Sequence, residues 1–181
     1  MVRMSLACGG VVTAFLLACG PASDSREAHA FRAPEKVDAC ALFPPEEAQA
    51  VAGAPIAPVS STLDNAVGRD LKSCAYNAGS IEVPRMVGLE VRPAKTVREA
   101  ERRQAASRSY LKTLAKGQIQ DVQGVGDAGF WAGGPVGQLH VRKGTVDLVV
   151  TVQAGKDPLG AAKQVAERAF ARMQAQKPSP H

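Results

Sequence analysis

The sequence predicts an α+β fold: a mostly antiparallel sheet of about five or six strands, packed by two or three helices and closed by one disulfide. Three observations predict it. From Pro44 onward the apolar pattern runs helix, two strands, helix, three or four strands, helix. The stretch from Gly137 to Gln153 reads as a hairpin, with Leu139 and Val141 in one arm and Val146, Leu148, Val150 and Val152 in the other. Of four cysteines, Cys40 and Cys74 remain for a crosslink once the two near the start are otherwise assigned.

Pro44 and Pro45 suit a first helical turn, Glu46 and Glu47 complement its positive end, and Gly53 followed by Pro55 stops it, which gives a short helix from Pro45 to Ala52. Strands are expected from Leu71 to Asn77, around Cys74 and Tyr76, and from Met86 to Arg92, where Val87, Leu89 and Val91 alternate with Gly88, Glu90 and Arg92. A second helix opens on the capping box Thr96-x-x-Glu99 and runs to about Lys116, ending at Gly117. Strands follow at Ile119 to Val125, Gly129 to Ala132, Gly137 to Arg142 and Val146 to Gln153, the last two joined through Lys143-Gly144. Asp157 caps and Pro158 starts a last helix, whose Leu159, Ala162, Ala166, Ala169, Phe170 and Met173 recur at helical spacing, so it should lie across the sheet and cover one face.

The start of the chain says where the protein lives. A basic Arg3 precedes an apolar segment from about Leu6 to Ala18, too short to span about 30 Å of hydrocarbon and of the length of a signal-peptide core. It ends in Leu16-Leu17-Ala18-Cys19, which resembles a bacterial lipobox. In lipoproteins of this pattern the leader, here residues 1–18, is removed, and the cysteine, here Cys19, carries the acyl anchor. Two or more acyl chains anchor stably, at about 0.8 kcal/mol per buried methylene. Residues 19–36 hold Pro21, Ser23, Asp24, Ser25, Arg26, Glu27 and Pro34 with no apolar period, and read as the lipidated cysteine and a flexible tether with a reach of about 55 Å. Residues 37–176 form the single α+β domain, and residues 177–181 a disordered tail.

With Cys8 discarded and Cys19 lipidated, Cys40 and Cys74 are expected to pair in an oxidising compartment. Closing that loop of 34 residues stabilises the fold by roughly 3.8 kcal/mol on the chain-entropy model. Their spacing is neither C-x-x-C nor a zinc pattern, and His29, His140 and His181 are scattered, so neither metal nor cofactor is expected. The chain of 181 residues has a net charge of +5, or +4 once Arg3 leaves with the leader (21 basic against 17 acidic), too modest to point to nucleic acid.

Four stretches look familiar together: Asp38-Ala39-Cys40-Ala41-Leu42-Phe43-Pro44-Pro45-Glu46-Glu47, Cys74-Ala75-Tyr76, Val125 to Trp131, and Leu139 to Gly144. From Asp38 to Met173 the chain resembles small lipoproteins with a domain of unknown function, best known from actinobacteria. The resemblance implies a lipobox-anchored envelope protein with a paired cysteine, and it transfers no catalytic residue.

The glycines of Val125-Gly126-Asp127-Ala128-Gly129 and Gly133-Gly134-Pro135 lack a phosphate-loop pattern, and Gly126-Asp127 reads as the turn that aims Phe130 and Trp131. Neighbouring strand residues point to opposite faces, so Trp131 is either an exposed contact or a second core ring. On the second helix Arg98, Arg102, Arg108 and Lys112 form a basic face suited to an anionic surface, with Glu99–Arg103 a compensating pair. His140 is expected on a solvated face with Gln138 and Arg142; a triad with Asp127 or Asp147 lacks a G-x-S-x-G context. No catalytic set is assembled. The expectation is a non-enzymatic binding, assembly or sensing module, anchored to a membrane and meeting an envelope protein, with a carrier of a small apolar ligand or lipid as the alternative. Gly20, rather than Asp, after the anchor allows the outer membrane in a two-membrane envelope; otherwise the site is the plasma membrane.

Overall fold

The computed structural model describes residues 25–59, 72–79, 84–114, 118–153 and 155–176. The leader, Cys19, Lys116–Gly117 and residues 177–181 lie outside them. The elements are α1 (Ser25–Ala28), α2 (Ala39–Leu42), α3 (Pro45–Ala52), β1 (Ile56–Val59), β2 (Lys72–Gly79), β3 (Pro84–Pro93), α4 (Val97–Leu114), β4 (Ile119–Val122), β5 (Ala128–Ala132), β6 (Gly137–Lys143), β7 (Val146–Val152) and α5 (Pro158–Ala175). The strands form one antiparallel sheet in the order β1-β2-β3-β7-β6-β5-β4. Each half of the chain lays down a meander, and the two meet where β3 pairs with β7. The α+β class, the antiparallel sheet and the disulfide are as the sequence predicts; β1 is a strand more than the pattern disclosed.

Because side chains alternate across a strand, the register sorts residues onto two faces. One face carries the rows Trp131–Leu139–Val150–Leu89–Cys74 and Val141–Leu148–Val91. These residues join α5 and the α2–α3 segment in one continuous apolar core. α5 presents Ala162, Val165, Ala166, Ala169, Phe170 and Met173, all buried, and its alanines let the helix axis lie close to the sheet. Burying Phe170 and Met173 contributes about 1.5–3 kcal/mol each.

The N-terminal segment is stapled onto this core. Asp38 caps α2 by accepting from the Cys40 and Ala41 amides, and α2 brings Cys40 to Cys74 of β2, with an S–S distance of 2.05 Å. The Tyr76 hydroxyl donates to the Phe43 carbonyl at 2.8 Å, which satisfies a buried phenol. Arg172 of α5 donates to the Leu42 carbonyl at 2.7 Å and forms an ion pair with Glu47, and the Arg172 guanidinium holds the Glu47 carboxyl below its usual range.

Two expectations are corrected here. The sheet is covered on both faces, since α4 lies over β4–β7 on the side away from α5, holding Arg103, Gln104 and Arg108 against strand groups of that face. The tether expected to extend to Lys36 is docked in its described part. Thr145 donates from its amide and hydroxyl to the Phe31 carbonyl, at 2.8 and 3.2 Å, and the Phe31 ring stands edge-on to Phe170 at 5.5 Å, with the Lys143 ammonium 5.1 Å from its centroid. Gly144, at φ +56°, makes this approach possible, because a Cβ there would overlap the Phe31 carbonyl. Glu27 accepts from the Val97 amide at 2.8 Å and so caps α4 from outside the helix.

Candidate functional site: the layer beneath α4

The second face of the sheet carries a different chemistry. Its rows are Asp121–Phe130–His140–Val149–Glu90–Ser73 and Ala128–Arg142–Asp147–Arg92. The expectation of a solvated face fails for His140 and Arg142, which α4 covers at 6% and 7% exposed, while Gln138 is half-buried at the edge of the layer. α4 itself buries only Val97 and Ala100, so it rests on a charged layer more than on an apolar one.

The α4 start combines predicted and unpredicted contacts. The Thr96 hydroxyl accepts from the Glu99 amide at 3.1 Å, as the capping box requires. The Glu99 carboxylate reaches past the Thr96 amide to that of Lys95, at 3.0 Å. That backbone bond, then the Arg103 charge, keeps the Glu99 carboxyl below its usual range. The expected Glu99–Arg103 pair is present at 2.9 Å.

Asp147 is the most unusual group of the layer. It is 5% exposed, and neither carboxylate oxygen accepts a hydrogen bond from a described residue. Burial pushes its pKa up to about 6, against the pull of Arg103, Arg142 and Arg92. His140 stacks on Phe130, with centroids 4.6 Å apart and planes 6° from parallel, and its Nε2 lies 3.4 Å from the Gln138 side-chain oxygen. Burial, helped by the Arg92 charge, pushes its pKa down to about 4, so the ring is neutral. Asp127 is occupied elsewhere: one oxygen accepts from the Gly144 amide at 2.7 Å and from Arg142 at 3.3 Å. A serine, His140 and an aspartate therefore do not form a relay among the described residues. Gly126, at φ +65°, sits where a Cβ would overlap Val141 and Arg142, so the Gly126-Asp127 turn locks β5 onto the β6–β7 hairpin.

The other sequence-named residues fall in separate places. Trp131 is not an exposed contact: it is 7% exposed and belongs to the apolar core, directly across from Leu139. Arg98, Arg102 and Lys112 are exposed on α4. Arg108 is committed to an ion pair with Asp121 and stands 5.5 Å over the Phe130 ring. Arg98 and Lys112 are about 21 Å apart along the helix axis, so the four do not act as one patch. Cys19 lies outside the described residues.

Two openings border the layer. Beside the middle of α4, a cleft of about 380 Å³ is lined by Gln104, Arg108, Asp121, Asp127, Phe130 and Arg142. At the C-terminal end of α4, a groove of about 630 Å³ is lined by Leu111, Leu114, Ala132, Val136, Gln118 and Gln138. Leu114 is 59% exposed and Val136 37% exposed, leaving an apolar rim open to solvent. Sequence reasoning missed this groove, since Leu111 and Leu114 of α4 and Val136 of the β5–β6 loop belong to two segments that only the fold brings together. Comparison with family models, curated proteins and solved structures finds no match to this chain. Among the described residues no helix is long and apolar enough to cross a membrane, and no cluster of three His, Cys, Asp or Glu could hold a metal ion. The Cys40–Cys74 disulfide is compatible with an oxidising, extracytoplasmic compartment.

Proposed function

We propose that the protein is a lipid-anchored envelope lipoprotein, attached through Cys19, whose α+β domain is a non-enzymatic binding module. In this reading it belongs with the small lipobox lipoproteins that its sequence resembles, at the outer membrane of a two-membrane envelope or at the plasma membrane of a one-membrane one. The observation that carries the binding role is the groove at the end of α4. Its Leu111, Leu114, Ala132 and Val136 offer apolar surface, with the Gln118 and Gln138 amides beside it to orient a partner. Exposed apolar patches rimmed by polar groups are characteristic of interaction sites, and an open rim accommodates side chains that belong to a larger envelope protein. The alternative, a carrier of a small apolar ligand or lipid, is favoured by the groove's volume of about 630 Å³, which lies within the range of small-ligand sites.

Two measurements test the reading. In a bacterial host, an alkyne-bearing palmitate should label the full chain, and Cys19→Ala should abolish the label and release the protein from the membrane fraction; an unlabelled wild-type chain would end the anchor reading. A photo-crosslinker at position 114 should then capture one envelope protein, lost in Val136→Asp. A copurifying mass of a few hundred daltons by native mass spectrometry, absent in Leu114→Asp, would replace the module with the carrier. The docked Phe31 sets the protein used: it must keep residues 25–36, since a start at Val37 would remove the segment held by Thr145.

A further inference from the structure

The docked N-terminal segment fixes which end of the domain meets the membrane. Glu27 caps Val97 at the start of α4, and Phe31 is held by the β6–β7 turn. The chain therefore joins the fold at one pole, made of residues 27–37, the end of β3, the β6–β7 turn and the first turn of α4. Cys19 precedes Glu27 by eight residues, which span at most about 29 Å. An anchor at Cys19 thus keeps this pole within about 29 Å of the lipid, not at the 55 Å that a free tether would allow.

The charge of the pole suits that position. A cleft of about 440 Å³ between the docked segment and β3 has Arg32 and Lys72 on its walls, together with Pro93, Ala94 and Thr145. Lys95 follows Ala94, and Arg98 stands in the first turn of α4; both are exposed. Lys72, Lys95 and Arg98 form no ion pair with a described residue. The acids here are Glu35, exposed beside the cleft, Glu27, turned inward as the cap, Glu99, engaged by Lys95 and Arg103, and Asp127, engaged by the Gly144 amide and Arg142. Cations at the start of a helix also oppose its macrodipole, so Lys95 and Arg98 do little for α4 itself. Lys112, about 21 Å up the helix from Arg98, lies beyond a Debye length of about 8 Å.

We propose that this pole rests on anionic lipid headgroups, with Arg32, Lys72, Lys95 and Arg98 as its contacts, so that the groove at the far end of α4 opens away from the membrane. The proposal rests on the Cys19 anchor and names what the anchored domain leans on. Of the four basic residues that the sequence singles out, it keeps Arg98 and sets Arg102, Arg108 and Lys112 aside.

The test uses the mature, acylated protein on vesicles of phosphatidylcholine, with and without phosphatidylglycerol, and reads amide hydrogen exchange. Exchange at residues 32–36 and 94–98 should slow several-fold on the anionic vesicles only, with residues 133–138 unchanged. Replacing Arg32, Lys72, Lys95 and Arg98 by Gln should erase the slowing, at about five-fold in surface affinity per charge removed, whereas Lys112→Gln should leave it intact. Equal exchange on both lipids, or slowing that survives the fourfold replacement, overturns the proposal while the anchor stands. A protein that stays with neither vesicle overturns the anchor and the proposal together. Slowing at 133–138 in place of the pole would put an acidic lipid surface at the wrong end and overturn it as well.

Discussion

The two faces of the sheet are made by the same strands, one residue out of phase, and they are buried by different means. Under α5, Val150 lies between Leu139 and Leu89 in a continuous apolar cluster. Under α4, its neighbour Val149 lies between His140 and Glu90, outside that cluster, with the Arg142–Asp147–Arg92 row alongside. Burial alone is thus a poor guide to what a residue contributes: Val149 and Val150 are 4% and 1% exposed, but only one sits where every neighbour is apolar. The first face holds the fold together, and the second holds α4 in place through groups whose charge depends on their surroundings.

The comparison can be broken at several points. The largest effect is expected on the α5 face, where Leu148→Ala should cost about 3–4 kcal/mol, read from the urea midpoint at constant slope. The adjacent valines sharpen the contrast: Val150→Ala should cost about 2–3 kcal/mol and Val149→Ala about 1 kcal/mol, because only the first leaves a void in continuous apolar packing. Equal costs would mean that the α4 face is as tightly packed as the other.

The effect expected in the charged layer carries a distinctive sign. The native Asp147 carboxyl keeps its proton up to about pH 6, against 3.8 for the ordinary group, so the stability it contributes is present below 3.8 and is lost as pH rises through about 6. The native His140 ring stays neutral down to about 4, against 6.5, so its contribution is present above 6.5 and is lost as pH falls through about 4. The two slopes oppose one another across most of this window. Asp147→Asn removes a buried charge and should stabilise the fold at neutral pH by about 1–2 kcal/mol. It should leave a stability that rises with pH between about 4 and 6.5, whereas His140→Gln should leave one that falls between 3.8 and about 6. Identical pH profiles in the two variants would show that these groups do not titrate from within the layer.

Much of the architecture was legible because one face is so regular. The alternation of Leu139 and Val141 and of Val146, Leu148, Val150 and Val152 forces the hairpin, and Pro45 with Gly53 brackets α3 to the residue. The second face was not legible in the same way, since alternation identifies the polar side of a strand without saying whether water or a charged helix covers it. Val149, an apolar residue on the polar side of β7, was the available signal. β1 is a four-residue edge strand, Ile-Ala-Pro-Val, and a proline in so short a run argues against a strand from pattern alone. The docking of residues 27–37 was hidden for a similar reason: a polar, proline-containing stretch reads as a tether, and its one strong handhold, Phe31, finds Phe170 only in three dimensions.

The way Phe31 is clasped bears on how the domain carries mechanical load. A pull on the chain from its start does not act first on Asp38 and the α2 helix, but on the Glu27–Val97 cap and then on the Thr145 hydrogen bonds and the Phe31–Phe170 contact. Those few bonds give way one after another and release the seven residues from Phe31 to Val37, about 25 Å of slack. Tension reaches the Cys40–Cys74 crosslink only afterwards, and there a covalent bond ties α2 to the sheet. The docked segment is in effect a shock absorber in series with a rivet.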